Sequence, residues 1–177
     1  MQYVNYYETP LGEILLAADQ DGLTGLWFSG QKYYASRLDP EPEEKDLPAF
    51  DETRRWLEVY FAGKKPDFMP PIHMVGTPFQ IAVWEIMRRI PYGETATYGE
   101  IAREFARERG LPRMSAQAVG SAVAHNRISI LIPCHRVTGT NGSLTGYAGG
   151  LDRKVKLLTL EKVDMKDFFV PHRGTAL

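Results

Sequence analysis

Three short runs rich in Tyr, Val, Ile, Leu and Trp, at residues 3–8, 13–18 and 23–28, are separated by Thr9-Pro10-Leu11-Gly12 and Asp19-Gln20-Asp21-Gly22. Runs of this length between turn-forming residues predict three strands in an antiparallel meander. Residues 39–44, acidic and interrupted by Pro40 and Pro42, read as a loop. From 50 to 61 the spacing changes: Trp56, Leu57, Tyr60 and Phe61 fall at helical intervals, with Asp51 placed to cap the start. The prolines of 66–71 close this unit, so residues 1–75 are expected to form a small α+β scaffold domain.

The second half has a different period. Thr77-Pro78 has the form of an N-cap followed by proline at the first helical position. The helix it opens runs through Phe79, Val83, Trp84 and Met87 to Arg89, before Pro91-Tyr92-Gly93. Thr97 caps a second helix over 98–108, with Ile101, Ala102 and Phe105 on its inner face. After the turn at 109–113, Ser115 caps a third, 116–125, made largely of small residues. Two short helices around a glycine-containing turn have the layout of a helix-turn-helix. Small residues on the second helix would let it lie close against a groove floor; they would equally permit tight helix packing. Two glycine-rich loops follow, 138–143 and 146–150, the latter offering Tyr147 as a stacking face but lacking phosphate-loop spacing. A last helix over about 152–161 is expected to bury Leu151, Val155 and Leu158, which strands the Glu161 carboxylate after an apolar Leu160. Residues 76–165 therefore read as a second, mostly helical domain, and 166–177 as a loosely packed tail.

Charge sharpens this division. The 177 residues carry a net charge of -1, but residues 1–75 hold 7 Lys and Arg against 13 Asp and Glu, and the remainder holds 14 against 9. Only the second half is suited to a polyanion. No stretch of about eighteen apolar residues exists to span a membrane, and the chain opens on a strand-like segment rather than a signal peptide. The chain has 1 cysteine, so no internal disulfide can form, and thiol chemistry calls for a reducing, cytoplasmic setting.

That cysteine, Cys134, lies in Ile130-Leu131-Ile132-Pro133-Cys134-His135-Arg136-Val137. A lone cysteine is commonly a small buried hydrophobe. An adjacent imidazole and guanidinium make this one a candidate nucleophile, because thiolate forms where base and positive charge are close.

Pro133-Cys134-His135-Arg136-Val137, Ala118-Val119-Gly120 and Gly146-Tyr147-Ala148-Gly149-Gly150, in this order, resemble the O6-alkylguanine-DNA alkyltransferases, closely over 76–161 and in outline before it. The resemblance implies a ribonuclease H-like sheet domain followed by a helix-turn-helix domain. It implies single-turnover transfer of an alkyl group from guanine O6, in double-stranded DNA, to Cys134, and leaves O4-alkylthymine open. It makes His135 the base, acting through a water, Glu161 its orienting partner, Asn126 a brace for the active-site turn, and Tyr98 a hydrogen-bond donor to guanine N3. Tyr147, Ala148, Val123 and Val137 would line the pocket of the flipped base. Ser115, Ala116, Gln117, Ala118, Gly120, Arg127 and Arg136 would meet DNA, with the 115–125 helix in the minor groove. Gln117 stands where many relatives place an intercalating arginine, and Arg127 stands where proline is frequent. No metal or organic cofactor is implied, the cysteines that hold zinc in some relatives are missing, and a monomer without membrane attachment is expected. Two other readings remain: a non-catalytic lesion-binding protein that recruits other repair factors, which the acceptor cysteine argues against, and a cysteine hydrolase, which multiple turnover would reveal.

Overall fold

Residues 1–171 are described by the computed structural model; 172–177, the end of the tail assigned to 166–177, lie outside the described residues. The chain divides into two compact units: Met1–Val75 with Arg127–Ser129, and Gly76–Asn126 with the chain from Ile130 onward.

In the first unit β1 (Tyr3–Thr9), β2 (Gly12–Asp19) and β3 (Gly22–Phe28) form the meander, in spatial order β3-β2-β1. Tyr6 faces Leu15 and Leu15 faces Trp27 in register. The added β4 (Glu43–Glu44) pairs parallel to β1 inside the acidic segment expected to be loop, so the sheet is mixed rather than purely antiparallel. β3 is buried along its whole length, which explains its nearly continuous apolar run. Helix α1 (Pro48–Phe61) packs on β1, β2 and β3 through Phe50, Trp56, Leu57 and Tyr60. Its N-cap is Leu47, with proline opening the first turn. Asp51, expected at the cap, lies inside that turn, where its charge meets the positive end of the helix dipole. Residues 127–129 run beside β3: the Leu26 amide donates to the Arg127 carbonyl at 2.7 Å and the Ser129 amide to that of Leu26 at 3.1 Å. Asp19, Asp21 and His73 bring potential metal-ligand atoms within 4.8 Å of one another; the His73 ring is also 2.6 Å from Asp19 Oδ2.

The second unit is built on α2 (Pro78–Arg88), α3 (Tyr98–Glu108) and α4 (Ala116–Ala124), each in contact with the other two. Thr77 with Gln80 and Thr97 with Glu100 form reciprocal capping boxes, and Ser115 Oγ accepts the Ala118 amide at 3.2 Å. Phe79 meets Phe105 edge to face, centroids 5.0 Å apart, and the Trp84 indole donates to the Ala122 carbonyl at 2.9 Å. β5 (Ala96–Thr97), just before α3, pairs in parallel with β6 (Val137–Thr138), just after the cysteine. The closing helix α5 (Leu151–Leu160) buries Lys154, Leu157 and Leu158; Leu151 and Val155 are only partly covered, contrary to the expected face. The described part of the tail is hydrogen-bonded rather than loose: the Leu144 amide donates to the Phe169 carbonyl at 2.9 Å, and the Phe169 amide to that of Gly142 at 3.0 Å. Among the described residues no helix is long and apolar enough to cross a membrane.

Trp84→Phe keeps most of the buried ring and leaves the Ala122 carbonyl without its indole donor. The expected loss is about 1–3 kcal/mol, read as a lower urea midpoint by circular dichroism; an unchanged midpoint would show that the α2–α4 tie contributes nothing.

Candidate active site

Pro133 leads into a single 3-10 turn, Cys134–Arg136, reached through a buried turn in which Ile130 takes φ 72. A β-branched residue in that left-handed region is strained, at a cost of about 1–3 kcal/mol. The strain is held in place because Ile130, Leu131 and Ile132 are all buried. The turn sets three consecutive side chains to separate tasks.

Cys134 is 5% exposed. Burial raises its thiol above the ordinary value. The Asn126 side chain, the Lys154 charge and the backbone N–H groups of Cys134 and His135 oppose this, each favouring the thiolate. Asn126 Nδ2 also donates to the Ile132 carbonyl at 2.8 Å, tying α4's exit to the segment before the cysteine.

His135 is fully buried, and its Nε2 lies 2.5 Å from Glu161 Oε2. The carboxylate accepts from Nε2–H, which makes Nδ1 the basic nitrogen of the neutral ring. Burial lowers the imidazole's affinity for a proton, against the opposing pull of Glu161. Glu161 resolves the puzzle of the stranded carboxylate. Oε1 accepts from Arg136 Nε at 2.8 Å and from the Gly93 amide at 3.0 Å, and Oε2 from Arg136 Nη2 at 3.1 Å. Burial alone would raise this carboxyl; His135 and Arg136 hold it well below the usual carboxylate range. Arg136 Nη1 donates to the Ile90 carbonyl at 2.8 Å, and its guanidinium lies 5.8 Å from the Tyr92 ring centroid.

Two further residues complete the enclosure. The Tyr98 hydroxyl is 3.1 Å from the Thr145 carbonyl and 3.2 Å from that of Gly146; burial and the nearby Cys134 raise its pKa. Lys154, absent from the sequence-derived set, is 0% exposed; Nζ donates to the Val137 carbonyl at 2.5 Å, to Thr145 at 3.1 Å and to Gly146 at 3.2 Å. Burial pushes its pKa down to about 8, while Cys134 opposes the fall. A signal existed: position 154 falls on the 151, 155, 158 stripe expected to be buried, and a lysine there needs partners.

Of the proposed pocket residues, Val123, Val137 and Tyr147 are buried and Ala148 is half-buried. A Cβ added at Gly149 would lie 2.5 Å from Tyr147 Cε2, so the glycine lets the ring lie close against this backbone. Of the proposed DNA contacts, Ser115, Ala116 and Gln117 are exposed and Ala118 is half-buried. The other three lie inside the fold. Gly120 is on the buried side of α4. Arg136 is 8% exposed and engaged by Glu161. Arg127 belongs to the first unit, is 7% exposed, and donates to the Val75 carbonyl.

Glu161 binds its proton more weakly in the fold than in the unfolded chain, and His135 likewise. The stability this pair supplies is therefore complete at neutral pH, starts to fall below about 6.5 and falls further through about 4.3, the ordinary His and Glu values. Glu161→Gln is expected to flatten that profile in thermal melts from pH 7 to 4; an equally steep profile would place the titration elsewhere. Lys154→Met, which removes the charge and keeps the stem, is expected to raise the Cys134 pKa. Iodoacetamide labelling near pH 7 should slow by about tenfold, one pK unit, and recover at higher pH. Slowing that is equal at every pH would mean that Lys154 only shapes the loop.

Known proteins align with both units. Residues 78–163 match the family model for the 6-O-methylguanine DNA methyltransferase DNA binding domain, and residues 2–74 match its ribonuclease-like domain. A methylated-DNA–protein-cysteine methyltransferase of Methanosarcina acetivorans is 46% identical over 159 residues, 90% of this chain and 97% of that protein. The constitutive enzyme of that name from Bacillus subtilis is 40% identical over 169 residues, 93% of this chain and 99% of that protein. A crystal structure of Mycobacterium tuberculosis OGT in complex with DNA superposes with a TM-score of 0.78 at 39% identity, covering 90% of this chain and 92% of that one. With an α+β architecture of a ribonuclease-like sheet unit and a helical DNA-binding unit, the chain belongs to the 6-O-methylguanine DNA methyltransferase family.

Proposed function

We propose that this protein repairs DNA by moving the alkyl group of O6-alkylguanine to Sγ of Cys134, once per molecule. The thiol proton passes to His135 Nδ1, directly or through one water, and Glu161 stabilises the imidazolium. The thiolate attacks the alkyl carbon; the C–S bond forms as the C–O bond breaks, and the electron pair leaves on guanine O6. The base takes up one proton, matching the one the thiol gave to His135, and remains in the strand as normal guanine. A thioether is not hydrolysed under these conditions, so the protein is consumed.

Attack at O6 requires the nucleotide to leave the stack, at a cost of a few kcal/mol, roughly. The exposed Ser115, Ala116 and Gln117 at the head of α4 approach the minor groove, where phosphate contacts and shape outweigh sequence readout. Gln117 fills the space that the base vacates. Tyr98 holds the 145–146 carbonyls; contact with guanine N3 requires its O–H to leave them. Cys134, His135 and Glu161 supply nucleophile, base and orienting group from the chain itself, so the reading needs no cofactor. It takes the protein as a cytoplasmic monomer, in a compartment that keeps the thiol reduced.

The observation that carries this reading is a cysteine set directly before an imidazole whose Nε2 lies 2.5 Å from the Glu161 carboxylate, with the Asn126 side chain and the Lys154 charge favouring the thiolate against the rise that burial causes. Mixing with a duplex containing O6-methylguanine should add one methyl group to Cys134 by intact-protein mass spectrometry and peptide mapping. Cys134→Ser should gain none, and Glu161→Gln should gain it about 10²–10⁴-fold more slowly. Methyl loss from DNA with no gain on the protein would overturn the proposal.

A further inference from the structure

A second feature of the helix-turn-helix lies outside the cysteine pocket. α3, the 109–115 turn and the head of α4 enclose a cleft of about 400 Å3 whose rim carries Arg103, Arg107 and Arg113. Its lining also includes the short side chains of Ala102, Ala106 and Ala116 beside Leu111, Pro112 and Met114. Arg103 and Arg107 are four residues apart on α3, hence on one face and about 6 Å apart along the axis. Arg113 reaches in from the turn, and all three are exposed.

The acidic neighbours on α3 and near it are already engaged. Glu100 accepts the Thr97 amide, Glu104 pairs with Arg107, and Glu108 pairs with Arg89 at 2.6 Å. Arg103 and Arg113 form no ion pair among the described residues. The Arg103 guanidinium lies over Gly99, with Nη1 3.4 Å from where a Cβ would stand, and both residues line the cleft. Two uncompensated guanidiniums at one cleft match the planar, multidentate recognition of a phosphate.

We infer that this cleft, through Arg103 and Arg113 with Arg107 in support, binds backbone phosphodiesters of the DNA that α4 engages. The inference rests on the proposed function and extends its footprint: Ala116 belongs both to the cleft lining and to the exposed head of α4. These arginines position the duplex without reading sequence, and they supply charge that Gln117, Arg127 and Arg136 do not. Each phosphate neutralised releases counterions, contributing about 0.9 to the slope of log affinity against log salt.

The test measures binding of an unmodified duplex by fluorescence anisotropy across a sodium chloride series. Wild type is compared with the Arg103→Gln/Arg113→Gln double variant and with Arg55→Gln, a change at an exposed arginine on α1. The double variant is expected to lose about 2 from the salt slope, one per phosphate contact, and to bind at least about tenfold more weakly near 0.1 M salt, equally for duplexes of different sequence. Arg55→Gln should leave the slope as it is. An unaltered slope in the double variant, or an equal change in Arg55→Gln, would overturn the inference. Alkyl transfer separates the two levels: benzyl transfer from free O6-benzylguanine, which has no phosphate, or methyl transfer from the methylated duplex, by wild type with no slope change in the double variant, overturns only the cleft, whereas transfer from neither overturns the function beneath it. Circular dichroism confirms that the variants are folded.

Discussion

A carboxylate taken out of water costs several kcal/mol unless its oxygens are matched by donors and opposite charge. Glu161, 2% exposed, accepts from His135, from Arg136 in two places and from the Gly93 amide. Those partners come from the 3-10 turn after Pro133 and from the bend between α2 and α3, while Glu161 itself terminates α5. One buried charge thus determines where the cysteine turn, the α2–α3 bend and the last helix meet. It also fixes the tautomer of His135. Removing either side would leave an uncompensated charge in the interior, so the arrangement is strongly held once formed.

The second buried charge, on Lys154, performs a related task with opposite sign. Its ammonium gathers the carbonyls of Val137, Thr145 and Gly146, two of which also face the Tyr98 hydroxyl. The loop before Tyr147 is therefore fastened from α3 and from α5 at once. The cation that fastens it also favours an anionic Cys134. Rigidity of the pocket wall and reactivity of the sulfur draw on the same side chain.

Much of this was legible along the chain, for identifiable reasons. Strand runs between turn residues, Thr-Pro and Ser caps, and apolar residues at helical spacing are local signals; the three strands and α2, α3 and α4 followed them. Glu161 announced itself by standing where a solvated residue has no reason to follow Leu160. What the chain hid was determined by partners distant in sequence. Arg127 and Arg136 look like phosphate ligands until the Val75 carbonyl and Glu161 are seen beside them. Lys154 looks like surface charge until three carbonyls surround it. Asp51 satisfies the composition of a cap, but Pro48 starts the helix earlier. In each case a short-range rule lost to a tertiary contact that no window of sequence contains.

The return of Arg127–Ser129 to the sheet unit bears on how this protein can be divided. The linear boundary at Val75/Gly76 is not a clean seam, because the covalent path from α4 to the nucleophile passes through three residues whose backbone groups complete the edge of β3. A fragment beginning at Gly76 would carry that excursion without the strand it completes, leaving polar backbone groups to find new partners a few residues upstream of the reactive turn. Three residues of the polypeptide that leads to the sulfur thus depend on the sheet unit for their backbone partners.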